Sequence, residues 1–336
     1  ITCPCALGLA VPAVQVVATG RLFKRGVLVK SGDALERLAR VDKVVLDKTG
    51  TLTLGRPRLV SAPDETALLE AAALARVSRH PLSRALVEAT GPGAPAKGVR
   101  EIAGEGLEVD VPGGAARLGK RGFAAPDALD SGEASAELWF SRPGSSPARF
   151  AFADALRPEA RAVMAELEQR GLAPELISGD RPLAVEAAAR SAGMSRFAGA
   201  VGPEDKMARL STLKAQGAHV LMLGDGLNDA AALAGAYVSA SPGSAIDVSQ
   251  AASDIVIQGE GLAPVIEMLD VAKAARKRVF ENLTFSALYN VIAVPIAVLG
   301  LVTPLIAAVA MASSSLVVTL NALRLQGGRA WTSSST

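Results

Sequence analysis

A chain of 336 residues, 50% hydrophobic and 20% charged with a mean hydropathy of +0.31, is too apolar for an ordinary soluble enzyme and too charged to lie wholly within a membrane. Its 35 Lys and Arg against 33 Asp and Glu leave a net charge of +2, which argues against a nucleic-acid binder, and the abundant aliphatics exclude disorder. The two cysteines, Cys3 and Cys5, cannot build a disulfide framework.

In chain order, residues 1–20 carry no charge and are followed by Arg21, Lys24, Arg25 and Lys30. The basic residues come after the apolar run, and Pro4 and Pro12 lie within it, so it is not a signal peptide. It reads as the last part of a membrane helix with its cytoplasmic extension (1–28), and the chain is expected to be a fragment of a longer protein. Cys3-Pro4-Cys5 sets two thiols at membrane depth, with a proline that frees backbone carbonyls. Thiolates favour soft ions such as Cu(I), with zinc and cadmium as alternatives.

Beyond residue 28 the pattern becomes α/β. Val44-Val45-Leu46, Leu176-Ile177, Val220-Leu221-Met222-Leu223 and Ile255-Val256-Ile257 read as buried strands. Helical patterns at 158–170, 183–192 and 204–216 alternate with them, which predicts a doubly wound parallel sheet. Residues 56–150 interrupt it with a helix at 65–77, a Gly/Pro-rich linker at 91–98 and strand-and-turn segments around 101–111 and 137–152. That segment reads as an inserted α+β domain, dividing the sheet domain into 29–55 and 151–272.

Residues 282–323 form 42 uncharged positions, enough for two membrane helices of about 20 residues. The break falls at Gly300 to Pro304. Lys273, Arg276, Lys277 and Arg278 precede the run, and Arg324 and Arg329 follow it. Positive charge at both outer ends predicts a hairpin over 273–325 with both ends cytoplasmic and a tail at 326–336.

The chemistry is expected at the carboxyl ends of the strands. Asp47 ends the first strand, and later strands lead into Ser178-Gly179-Asp180, Pro203-Glu204-Asp205-Lys206 and Gly224-Asp225-Gly226-Leu227-Asn228-Asp229. An aspartate nucleophile, a hydroxyl, a lysine and an acidic cluster at one sheet edge suit phosphoryl transfer to a carboxylate. In that reading Asp47 attacks, Lys206 with Thr49 or Ser178 holds phosphate oxygens, and Asp225 holds magnesium. Thr49, two positions after the nucleophile, cannot supply a carboxylic proton, so an aspartyl phosphate is expected to persist. His219 opens an apolar strand and reads as structural.

Asp47-Lys48-Thr49-Gly50-Thr51, Ser178-Gly179-Asp180 and the Gly224–Asp229 motif resemble P-type ATPases, and Cys-Pro-Cys with His80-Pro81 resembles their heavy-metal branch. The resemblance runs from Cys3 to about Leu325. It implies a haloacid-dehalogenase-like phosphorylation domain with an inserted nucleotide-binding domain, flanked by transmembrane helices, using ATP and Mg2+. Asp47 would be phosphorylated, with Asp225 and Asp229 on the magnesium side. Lys48, Thr49, Thr51, Ser178, Gly179, Asp180, Lys206 and Asn228 would complete the catalytic set. The nucleotide set would include His80 and Pro81 at the adenine and Gly104 and Gly106, grouped with Asp154 and Arg157 of the hinge motif. Arg79 stands where many copper pumps have Glu, and Leu118-Gly119-Lys120 replaces a Gly-Asn pair. Tyr289-Asn290 and Met311, Ser314 and Ser315 resemble the hairpin signatures of copper pumps, and the uncharged run lacks the Asp of divalent-metal pumps. The resemblance therefore implies Cu(I) as cargo, held also by Cys3 and Cys5. It further implies a multi-pass cell-membrane protein with cytoplasmic catalytic domains, lipid contact, a copper chaperone as partner, and a dephosphorylating glutamate carried upstream. A membrane-anchored phosphohydrolase of the same fold and a zinc or cadmium pump are the alternatives.

Overall fold

The structure is a computed structural model and describes residues 5–129, 135–225, 229–245 and 247–327, with side chains from residue 8 onward. Cys3 and Asn228 lie outside the described residues, as does the side chain of Cys5.

The chain begins with α1 (Cys5–Ala10) and α2 (Pro12–Lys24), followed by β1 (Val27–Val29), α3 (Ala34–Leu38), β2 (Lys43–Leu46) and β3 (Thr53–Ser61). Next come α4 (Glu65–Ala75), α5 (Pro81–Thr90), β4 (Arg100–Ile102), β5 (Gly106–Val111), β6 (Gly114–Gly119) and α6 (Arg121–Ala124), then β7 (Ala136–Ser141) and β8 (Ala148–Leu156). After them α7 (Ala160–Gln169), β9 (Glu175–Ile177), α8 (Pro182–Ser191), β10 (Arg196–Ala198) and α9 (Pro203–Ala215) alternate. The alternation continues through β11 (Val220–Leu223), α10 (Ala230–Gly235), β12 (Val238–Pro242), α11 (Asp247–Ala252) and β13 (Ile255–Ile257). Two long helices, α12 (Ala263–Val298) and α13 (Pro304–Leu323), follow, and a 3-10 turn (Arg324–Gly327) ends the described elements.

Among the described residues, two sheets organise these elements. The first has the order β1-β13-β12-β11-β2-β9-β10 and is parallel except for β1, which pairs antiparallel with β13 at the edge. β11 and β13 are buried along their whole length, as unbroken aliphatic runs in a parallel sheet covered on both faces require. β2 lies between β9 and β11, so successive crossovers leave it in opposite directions. That is the topological switch point, where the carboxyl ends of the strands open a crevice. Asp47 stands immediately after β2.

The second sheet, β3-β8-β7-β6-β5-β4, is antiparallel, with α4 and α5 against one face. Phe150 and Phe152 of β8 sit in its core with Leu86 of α5. The two sheets join through β3 and β8, whose register begins at Thr53 opposite Leu156.

Helix starts follow local chemistry. Asp64 accepts from Ala67 N (2.7 Å) to cap α4, and prolines occupy the first turn of α5, α8, α9 and α13. The helix expected over 158–170 begins later, at Ala160, because Glu159 takes a left-handed conformation (φ 61°). Helix α5 and the edge strand β1 were not anticipated. The junction expected at 272/273 falls inside α12, a single 36-residue helix with no breaker before Pro295.

α12 and the helix beginning at Pro304 are long and apolar enough to cross a membrane. Leu288, Val291, Leu305, Val309 and Leu316 leave their outer faces apolar and exposed. Their inner faces pack against α1 and α2.

Candidate active site

The site is built at the end of β2. Asp47 N donates to Leu223 O at 2.8 Å, so the β2–β11 pairing continues to the point where the loop departs. The Asp47 carboxylate is buried. Lys206, in the first turn of α9, donates from Nζ to Asp47 Oδ1 and to Asp229 Oδ1, both at 2.6 Å. Asp225 completes a group of three carboxylates, each offering an oxygen, with those oxygens within 4.8 Å of one another.

One ammonium cannot neutralise three carboxylates. Burial, then the charge of Asp229, pushes Asp47 up to about 6 against the opposing pull of Lys206. Burial, then Asp47 and Asp229, pushes Asp225 up to about 7. Burial works against a charged Lys206, yet Asp47 and Asp229 outweigh it and raise its pKa. This is a cluster with surplus negative charge and only oxygen donors, which fits a hard divalent cation such as Mg2+.

The loop from Lys48 to Leu52 shields the cluster. Gly50 takes φ +70°, and a Cβ there would lie 1.5 Å from Asp225 Oδ2, so only glycine lets the loop pass the carboxylate. Lys48 forms an ion pair with Asp180, whose Oδ2 accepts from Thr49 Oγ1 at 3.5 Å. Ser178 Oγ accepts from Asp180 N at 3.3 Å. The loop after β9 is thereby joined to the loop after β2. Gly179 sits in that turn. Thr51 is placed differently: its hydroxyl is buried without a hydrogen-bond partner among the described residues and lines a small cavity beside Arg157 and Leu262.

Two clefts open around α5. One, of about 420 Å³, is lined by His80, Gly104, Gly106, Lys120 and Glu137. Leu82 N donates to His80 Nδ1 at 3.3 Å, which caps α5 and leaves the proton of a neutral ring on Nε2. Burial lowers the His80 pKa although Glu101 opposes the shift, so the ring is neutral at pH 7. Gly106 and Gly119 are required by close backbone approach, since a Cβ on Gly106 would stand 2.3 Å from Leu118 O and one on Gly119 2.3 Å from Glu105 O. Gly104 turns the chain at φ +77°. The other cleft, of about 510 Å³, joins Pro81, Arg84 and Glu88 of α5 to Arg56, Asp225 and Ser244. Arg84 was missed in the sequence. Its signal was there, because Pro81, Arg84, Ala85 and Glu88 share one face at helical spacing.

Asp154 and Arg157 line neither cleft. Asp154 accepts from Thr53 Oγ1 (2.5 Å), Gly55 N (3.1 Å) and Arg56 N (3.2 Å), tying β8 to β3. Arg157 donates to Gly50 O (2.5 Å), Ser244 Oγ (3.1 Å) and Glu260 O (3.0 Å). Both stand where the two sheets join, with Arg157 gripping the loop that carries Gly50.

Residues 41–236 match the family model of haloacid dehalogenase-like hydrolases. The curated relatives include cation-transporting P-type ATPases. The chain is 48% identical over 331 residues to nitrogen fixation protein FixI of Bradyrhizobium diazoefficiens, covering 96% of this chain and 45% of that protein. It is 35% identical over 349 residues to a probable copper-exporting P-type ATPase V of Mycobacterium tuberculosis, covering 97% of this chain and 45% of that protein. A crystal structure of a zinc-transporting PIB-type ATPase in its E2.Pi state superposes with a TM-score of 0.78 at 31% identity, covering 96% of this chain and 56% of that one. The chain belongs to the haloacid dehalogenase-like hydrolases, within the heavy-metal P-type ATPases. It spans about half the length of the curated relatives it matches.

Of the residues expected to hold the cargo, those of the hairpin lie on α12 and α13. Tyr289 lines an apolar groove between the two helices, and Asn290 Nδ2 donates to Ser286 O at 2.9 Å. Ser314 is buried and donates to Met311 O (2.9 Å), whereas Met311 is partly exposed and Ser315 half-buried.

Proposed function

We propose that this chain supplies the phosphorylation, nucleotide-binding and part of the membrane machinery of an ATP-driven Cu(I) transporter in the cell membrane. The observation that carries the reading is the buried Asp47–Lys206–Asp229 arrangement at the switch point, with Thr49 rather than a carboxylic acid two residues on. An Asp47 oxygen attacks the γ-phosphorus of ATP, the bond to the bridging oxygen breaks, and ADP leaves. Lys206 holds Asp47 in place and offsets charge on the transferred phosphoryl group. Asp47, Asp225 and Asp229 would hold magnesium, which when bound offsets the negative charge of the triphosphate. His80 and the Gly104–Gly106 turn receive the adenine end, and Lys48 and Asp180 hold the two catalytic loops together. Since Thr49 cannot act as a general acid toward water, the aspartyl phosphate outlives its formation, as a phosphoenzyme that drives transport must.

Copper(I) is favoured as cargo by the sulfurs of Cys3, Cys5 and Met311 and by an uncharged 282–323 run. A zinc cargo is the second reading, favoured by the similarity to a zinc-transporting structure. A metallochaperone would deliver the ion. Incubation with γ-labelled ATP and acid quench should give acid-stable label in the wild type and none in Asp47→Asn. Label that persists in Asp47→Asn refutes the assignment. Phosphorylation that responds to zinc and not to Cu(I) transfers the cargo to the second reading.

A further inference from the structure

A hydroxyl in an apolar helix ordinarily satisfies itself on a carbonyl of its own preceding turn. Ser313 and Ser314 do so on Ala310 O and Met311 O, and Thr319 does so on Ser315 O, all at 2.9 Å. Ser286 does not. Its residue is 1% exposed and its Oγ has no hydrogen-bond partner among the described residues. A buried polar atom left unpaired is costly where no water competes, so its retention calls for an explanation, one of which is a bound ion.

Register locates this hydroxyl. Asn282 Nδ2 donates to Ala10 O (3.3 Å) and Val318 O (3.4 Å), so α1, α12 and α13 meet at that level. α1 and α2 run opposite to α12, since Arg21 further along α2 bonds Glu267 further back on α12. Four residues advance a helix by about 6 Å on one face. From Asn282 that step reaches Ser286, and from Val318, in the opposite chain direction, it reaches buried Ser314. Both lie on the side away from the catalytic domain. Asn290 and Met311 come one turn further. Ser286 therefore occupies the three-helix seam between the Asn282 level and the level of Asn290 and Met311.

We infer that the Ser286 hydroxyl is an oxygen ligand of the transported ion on the catalytic-domain side of its membrane site. The inference rests on the proposed transport function. A neutral oxygen is a weak partner for a soft ion beside thiolates. It lets the ion be held and then passed on, as conduction requires.

The full chain in lipid nanodiscs, loaded anaerobically with Cu(I), tests this by chelator competition and X-ray absorption. The wild type should show sulfur scatterers with one oxygen or nitrogen neighbour. Ser286→Ala should lose that neighbour and bind about fivefold more weakly, on the scale of one polar contact, and Ser286→Thr should keep both. An unchanged shell in Ser286→Ala, whatever its affinity, overturns the assignment while leaving cysteine-dependent binding, checked with Cys5→Ser, intact. A wild type that binds no Cu(I) overturns the copper reading together with this inference.

Discussion

At the scale of single residues, Gly50 shows how tightly the site is built. Its place is dictated by Asp225, whose carboxylate occupies the volume a side chain would need. Gly50→Ala adds about 1–2 kcal/mol of left-handed backbone strain and displaces Asp225 or the loop. Phosphorylation from ATP should fall by about a hundredfold, the scale of a small misplacement in a reacting group. Measurement of acid-stable label at saturating Mg2+ checks it, and an unimpaired rate would mean the loop is free to move. Asp254 plays a structural part. Burial would raise its pKa, but hydrogen bonds from Arg37 (2.7 Å), Ser31 (2.6 Å) and Ser239 N (3.0 Å) outweigh that and hold it below the ordinary 3.8. The folded-state pKa is depressed, so its stabilisation is fully present above the unfolded value and is lost as pH falls through the folded one. Asp254→Asn should cost about 1–3 kcal/mol at pH 7 and flatten the loss of stability below about pH 4. Unfolding followed against pH in detergent gives both numbers.

At the scale of elements, the junction of α2, α12 and the end of α13 joins catalytic and membrane regions. Arg21 donates to Glu267 Oε1 (3.2 Å) and Leu325 O (2.8 Å), and Arg25 Nε lies 3.7 Å from the same carboxylate. Glu267 is a buried acid inside an otherwise apolar stretch of α12. Removing it as Glu267→Ala leaves buried positive charge uncompensated, at a cost of about 3–5 kcal/mol. Glu267→Gln, which can still accept a hydrogen bond, should lose less. Thermal unfolding of both variants tests the order, and equal losses would show that the charge contributes nothing. These contacts were not legible in the sequence, because Arg21 and Glu267 stand 246 positions apart and neither belongs to a local motif. α5 escaped for another reason: its ten residues begin at the Pro of a His-Pro pair and precede a Gly/Pro-rich linker, so the turn signals masked its helical spacing.

At the scale of the whole molecule, the inserted sheet is anchored by a long antiparallel pair rather than by a loop. β3 and β8 run to Thr53 and Leu156, and Phe152 lies in the inserted core. An excised segment of residues 56–150 lacks Phe152 and the Asp154–Thr53 hydrogen bond. Residues 53–156 should therefore fold and bind ATP, with 56–150 less stable by at least about 3 kcal/mol from the lost aromatic alone. NMR titration with ATP and comparison of urea midpoints tests this, and His80→Gln should weaken binding in the longer segment. Equal midpoints would show that the sheet closes without its outer residues.

The sequence by itself determined the parallel sheet and the acidic and basic residues gathered at its edge. Short aliphatic runs that end in acidic or glycine-rich motifs carry their meaning locally: the run must be buried, and the polar residues after it must emerge at the same edge. Asp47, Lys206, Asp225 and Asp229 were legible for that reason, as were the two apolar helices and their turn. Only the tertiary structure decided how charge is distributed among them, with one lysine shared by two buried carboxylates. It also decided that Asp154 and Arg157 tie the sheet junction and the Gly50 loop rather than line the clefts beside α5, and that Ser286 is buried in a seam between three helices. Those outcomes depend on distances between segments far apart in the chain. Burial and pairing at such contacts are properties of the packed whole, and no local pattern of residue types encodes them.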